Sequence, residues 1–303
     1  MAGTSPTPGD NLGYTAAQLG IAQLLGRIGA LGARPLVTEQ VAQIDSKDMD
    51  HAVWARLAQR CSHWLAQQDV QGIVITHGTD TLEETAYLLH ALLAPARPVV
   101  LTGAMRPATA LSPDGPQNIV DAIAVASWTG ASGVVCVCAG VIHGAVDVRK
   151  QHTFRLDAFS SGDAGPIGYV EEARLRLLRD WPQARDGRAH PATAWMAGGT
   201  AWPQVEIVTS HAGSDGRMVQ ALVAQGVRGL VVAATGNGTI HHALELALRD
   251  AEAQGVRIMR TTRCAQGQVI GAGDDGFETA QGLSPVKARI ALQLELMAGE
   301  AQA

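Results

Sequence analysis

A short apolar run, Ile73-Val74-Ile75, leads into the pentapeptide His77-Gly78-Thr79-Asp80-Thr81 and then into Leu82-Glu83-Glu84-Thr85-Ala86. This strand-to-helix turn constrains the fold more than any other stretch of the chain. In an open α/β sheet, ligands bind in the crevice at the carboxyl ends of the strands, so a hydroxyl and a carboxylate at such a turn mark a place for polar chemistry. Thr81 and Glu84 have capping-box spacing, and Leu82, Ala86, Leu89 and Leu93 commit one helix face to a core. Thr79 and Asp80 are left at the positive end of that helix, where free backbone amides favour developing negative charge. Asp80 or Thr81 read alone also serves as an ordinary helix start.

Helical patterns at about 16–28, 50–67, 82–93 and 118–128 alternate with strand candidates at Pro35–Thr38, Gly72–Thr76, Pro98–Thr102 and Gly133–Cys138. Such alternation is the appearance of βαβ units and a mostly parallel sheet. Between about Trp181 and Pro203, Pro, Gly and Ala dominate and periodicity is lost, which reads as a linker. A second alternation follows, with strands near Val205–Thr209, Gly229–Ala233 and Val256–Thr261 and helices near Ser214–Gln225, Ile240–Gln254 and Pro285–Met297. The predicted layout is an α/β domain over 1–180, a linker over 181–203 and a smaller α/β domain over 204–303.

At 303 residues and 47% hydrophobic content, the chain can bury cores of this size. No apolar run approaches the roughly 20 residues of a membrane-spanning helix. The net charge is -5 with 23 scattered Lys and Arg residues, which points away from nucleic acid and toward small-molecule ligands. Cys61, Cys136, Cys138 and Cys264 lack paired zinc-ligand spacing. Cys136 and Cys138 are expected to face one packed layer as small hydrophobes. Neither a metal nor another cofactor is implied.

The segment from Gly72 to Tyr87 closely resembles the second signature of the bacterial-type L-asparaginases. Pro98 to Pro107, with Asp114-Gly115-Pro116 and Asn118, resembles the stretch that follows in that family, and the likeness extends from Gly3 to the carboxyl-terminal helix. It implies a flavodoxin-like amino-terminal domain, a smaller carboxyl-terminal domain and a homotetramer whose active sites are shared between subunits. Lys150 matches the family's catalytic lysine and Asp80 its companion carboxylate, giving a Thr79–Lys150–Asp80 triad. A threonine hydroxyl needs such a base within hydrogen-bond reach, and burial favours the proton-free amine a base requires. Ser46 matches the residue that holds the substrate α-carboxylate, Asp80 also pairs with the substrate ammonium, and Tyr14 matches the tyrosine of the mobile lid.

The chain departs from the family in three ways. Family members begin with an apolar strand running into Thr-Gly-Gly-Thr-Ile-Ala-Gly, whereas this chain starts at Met1-Ala2-Gly3-Thr4. That strand and its threonine, to which the family usually assigns the first attack while the counterparts of Thr79 and Lys150 serve the second step or assist, are expected to be missing through a misassigned start or a truncation. Lys47, at the substrate-binding position beside Ser46, replaces a non-basic residue. In Gly236-Asn237-Gly238-Thr239, a segment that the family donates from a neighbouring subunit, Thr239 replaces the common asparagine as a substrate contact. The stretch Gln268 to Phe277 offers no counterpart to a family acidic residue near Val269.

The expected activity is amide hydrolysis of L-asparagine through a threonine nucleophile, with glutaminase side activity. An inactive homologue that only binds a small amino acid is the alternative, and an archaeal tRNA-amidotransferase glutaminase subunit ranks third. A cytoplasmic site is favoured, or a periplasmic one if an upstream segment is missing.

Overall fold

The computed structural model describes all residues except 1–2, 8, 27, 29–34, 94, 184–189, 194–200, 272–275 and 301–303. The chain divides into two compact units, Met1–Ala189 and His190–Ala303.

The first unit contains helices α1 (Ile21–Leu25), α2 (His51–Leu65), α3 (Leu82–Leu93) and α4 (Gly115–Ala126). Its strands are β1 (Ile73–Thr76), β2 (Val99–Thr102), β3 (Val134–Cys138), β4 (Val141–Gly144), β5 (Arg149–Lys150), β6 (Phe159–Ser160), β7 (Gly168–Glu171) and β8 (Arg174–Leu177). Six form one sheet in the order β1-β2-β3-β4-β7-β8, while β5 and β6 pair separately. The parallel part is β1 to β3, in register Ile73↔Val99 and Val99↔Val134; from β4 onward the pairing is antiparallel.

Strands β2 and β3 are buried throughout, as their unbroken apolar runs require of parallel strands covered on both faces. Helix α4 covers the face carrying Val100, Val135 and Val137 with Ala122, Val125 and Ala126. Cys136 and Cys138 alternate to the opposite face, buried and free. Helices α2 and α3 lie against β1 to β3. In α3, Leu82, Leu88, Leu89 and Leu92 are fully buried, each contributing about 2 kcal/mol of apolar burial. That burial fixes the start of α3 and with it the Thr79–Thr81 turn.

In the second unit, β12 (Glu278–Thr279), β11 (Arg257–Thr262), β10 (Gly229–Ala234) and β9 (Val205–Thr209) form an all-parallel sheet in that order. Helices α5 (Arg217–Ala224) and α6 (His242–Ala253) pack Val219, Leu244 and Leu248 against Val232 and Ile258. On the other face, Ala288 and Leu292 of α7 (Pro285–Glu300) meet Val231 and Met259. Among the described residues, no helix is long and apolar enough to cross a membrane.

Two expected elements differ. The helix expected over 16–28 is confined to α1, because Ala17 sits at a left-handed φ of 56° and Gly20 and Gly26 bound the remaining turn. Residues 35–38 form no strand: Leu36 and Val37 are exposed, with no neighbouring strand among the described residues to bury them. Glu39 instead accepts hydrogen bonds from Arg60 and Trp64 of α2. Most of the stretch expected as a linker, 181–203, lies outside the described residues.

Candidate active site

Strand β1 ends at Thr76, and the chain turns through His77-Gly78-Thr79-Asp80-Thr81 before α3 begins. A second segment holds the turn: Ser46 is buried in a single 3-10 turn, Ser46–Asp48. Its hydroxyl accepts from the Asp80 N–H at 3.3 Å, and its carbonyl accepts from the Thr81 hydroxyl at 2.7 Å. The approach is close enough to require glycine at 78, since a β-carbon there would lie 2.4 Å from Ser46 Oγ. From the adjacent strand, Gly103 packs against the Thr79 methyl, where an added β-carbon would stand 2.9 Å from Cγ2.

Lys150, on β5, reaches into the same turn. Its Nζ donates to Thr79 Oγ1 at 2.8 Å and lies 2.6 Å from Asp80 Oδ1. The lysine side chain is 18% exposed and that of Asp80 is 56% exposed, so the ammonium is largely sheltered while the carboxylate faces solvent. The Lys150 N–H donates to Glu83 Oε1 at 3.0 Å, tying β5 to the first turn of α3.

Tyr14 lines one cleft together with Ser46, Thr79 and Asp80. The chain reaches it through an antiparallel bridge between Thr4 and Thr15, and its ring lies on Gly3. Burial, then the charges of Asp80 and Asp45, push the Tyr14 hydroxyl above its ordinary pKa. Met105 and Arg106 also line the cleft, and their N–H groups donate to the Asp114 carboxylate at 2.9 and 3.0 Å. Asn118 joins the same corner by donating to the Gly103 carbonyl and accepting from the Ala139 N–H.

Lys47 points out of the cleft. Its ammonium lies between Asp45 and Asp48 at 2.9 and 3.0 Å and is 61% exposed, so neighbouring carboxylates absorb its charge outside the cleft lining. Asp45 and then Asp48 raise its pKa. Burial opposes ionisation of Asp45, yet hydrogen bonds from Lys47 hold that carboxyl below its usual range. Thr239, in the second unit, is exposed and bonds to the Thr235 hydroxyl at 2.7 Å. Of the stretch Gln268 to Phe277, residues 272–275 lie outside the described residues.

The structure thus gathers Thr79, Asp80, Ser46 and Tyr14 around one cleft, brings Lys150 onto Thr79 and Asp80, and leaves Lys47 outside the lining. Sequence reasoning missed Glu83, which no spacing rule links to Lys150 at 67 residues' separation. It also missed His77, whose only signal was a polar residue ending an apolar strand.

Residues 2–183 match the family model described as Asparaginase, N-terminal, and residues 204–303 match the Glutaminase/Asparaginase C-terminal domain. The chain is similar to L-asparaginase 2 of Bacillus subtilis, at 33% identity over 98% of this chain and 80% of that one. It is also 33% identical to a glutaminase-asparaginase of Pseudomonas fluorescens, over 98% of this chain and 83% of the relative. Among solved structures, a probable cytoplasmic L-asparaginase from Campylobacter jejuni superposes with a TM-score of 0.91 at 34% identity, covering 99% of this chain and 94% of the other.

Proposed function

This chain belongs to the asparaginase family, and on that premise we propose that it hydrolyses L-asparagine to L-aspartate and ammonia with Thr79 as nucleophile and glutaminase side activity. The observation that carries the reading is the 2.8 Å approach of Lys150 Nζ to Thr79 Oγ1. That distance is hydrogen-bond reach for a base and its nucleophile.

As Thr79 Oγ1 forms its bond to the amide carbon, Lys150 takes the hydroxyl proton, and Asp80, at 2.6 Å, neutralises the ammonium produced. The amide oxygen gains negative charge beside the amides that precede α3, where the helix dipole favours it. Collapse of the tetrahedral adduct expels the nitrogen, which leaves as ammonia after receiving the proton from Lys150. Water then attacks the aspartyl ester, its proton passing through the same lysine, and Thr79 is regenerated. Ser46 holds the α-carboxylate, Asp80 also meets the α-ammonium, and Tyr14 closes over the cleft.

The match of separate family models to 2–183 and 204–303 supports a two-domain layout with a linker near 181–203. A homotetramer, with Thr239 supplied from a neighbouring subunit, is part of the same proposal and rests on family resemblance.

Ammonia release from L-asparagine and L-glutamine by the purified chain tests the reading. General acid–base catalysis is worth about 10²–10⁴-fold, so Lys150→Met is expected to lose at least about 10²-fold in kcat with its fold intact. Full activity in that variant would remove Lys150 as the base, and full activity in Thr79→Val would remove Thr79 as the nucleophile.

A further inference from the structure

We propose that His77 is a positioning residue for this reaction, holding the Gly78–Thr79 peptide in the orientation that presents Thr79 to the substrate. The inference rests on the reading of Thr79 as nucleophile. It follows from a polar relay that crosses the core behind the turn. Trp54 Nε1 on α2 donates to Thr85 Oγ1 on α3 at 2.9 Å, Thr85 Oγ1 lies 3.0 Å from His77 Nε2, and His77 Nδ1 lies 2.7 Å from the Gly78 carbonyl oxygen.

The chemistry of the partners fixes the protons. A carbonyl oxygen only accepts, so Nδ1 carries a hydrogen and donates it to Gly78. Burial keeps the imidazole neutral, with a pKa lowered to about 4, so Nε2 is bare and accepts from the Thr85 hydroxyl. That hydroxyl in turn accepts from the indole, which only donates. The whole relay ends on one atom, the carbonyl oxygen one residue before Thr79.

Every described peptide bond is trans, and in a trans peptide the C=O and the following N–H point in opposite directions. Turning the Gly78 carbonyl onto His77 therefore turns the Thr79 N–H away from it. Among the described residues that N–H has no partner, while the next one, of Asp80, is held by Ser46 Oγ. Gly103 against the Thr79 methyl completes the constraint and leaves the hydroxyl to Lys150. Three groups thus fix the turn from three sides, His77 among them with its ring in the core behind the turn.

The test is steady-state kinetics and thermal unfolding of His77→Phe, His77→Asn, Thr85→Val and Thr79→Val. His77→Phe fills the space without a donor and is expected to lower kcat about 10- to 100-fold with KM changed less than about threefold, the range expected for a lost supporting hydrogen bond. His77→Asn, whose amide can donate to Gly78 from the position of Nδ1, is expected to recover most of that loss. Equal kcat in His77→Phe and wild type, with Thr79→Val inactive, would overturn the inference while leaving the nucleophile in place. Equal losses in the Phe and Asn variants would likewise make the residue structural only. Activity retained in Thr79→Val would instead sink the reading of the site itself. If His77→Phe does not fold, Thr85→Val decides: it frees Nε2 while leaving the ring, and a several-fold fall in kcat supports the inference whereas unchanged kcat overturns it.

Discussion

Thr79 has its methyl against Gly103 and its hydroxyl against Lys150. The residues that hold it are as specific as the residue itself. Buried behind the turn, His77 also leaves a thermodynamic signature. Its pKa falls from 6.5 to about 4 because burial disfavours the imidazolium. The unfolded chain takes up a proton that the folded chain refuses, so this contribution to stability is fully present above pH 6.5, declines as pH drops below it and is lost by about pH 4. A shift of that size corresponds to about 3 kcal/mol. Urea unfolding midpoints measured from neutral pH down toward that value should therefore fall steeply in wild type and less steeply in His77→Phe. Identical slopes would show that His77 titrates as it does in the unfolded chain.

At the scale of elements, the site is a junction of strand ends. The carboxyl ends of β2 and β3 meet at Asn118, which binds the Gly103 carbonyl, the Asp114 carboxylate and the Ala139 N–H. Replacing Asn118 with alanine would leave the buried Gly103 carbonyl without this donor, at about 1–3 kcal/mol. Asn118→Ala should accordingly unfold at lower temperature and lose kcat/KM, because the 103–107 loop lines the cleft. An unchanged melting temperature would mean that water replaces the amide. Apart from the two-residue β12, the parallel strands and their helices were legible in the sequence because each pairs an apolar run with a periodic helix. Strands β4, β7 and β8 were not, since runs such as Arg174–Leu177 are short, charged and largely exposed. The 35–38 run failed for the converse reason: its apolar residues are exposed.

At the scale of the whole chain, motif likeness pointed to Thr79, Asp80, Lys150, Ser46 and Tyr14 as site residues. The direction of Lys47 depended on two flanking carboxylates whose side-chain placement no pattern encodes. The thiols report on both units. Cys61, Cys136 and Cys138 are buried in the first, with the Cys61 and Cys138 thiols pushed up to about 12 by burial, whereas Cys264 is exposed in the second. A disulfide reagent should label a single thiol in the folded protein, at Cys264, and the other three only after denaturation. Rapid labelling of Cys61, Cys136 or Cys138 would contradict that packing. Acid-quenching the protein during turnover of L-asparagine, followed by peptide mapping, identifies the nucleophile. An aspartyl ester on Thr79, absent from Thr79→Val, is the predicted result; an ester on any other residue, or turnover that persists in Thr79→Val, would contradict it.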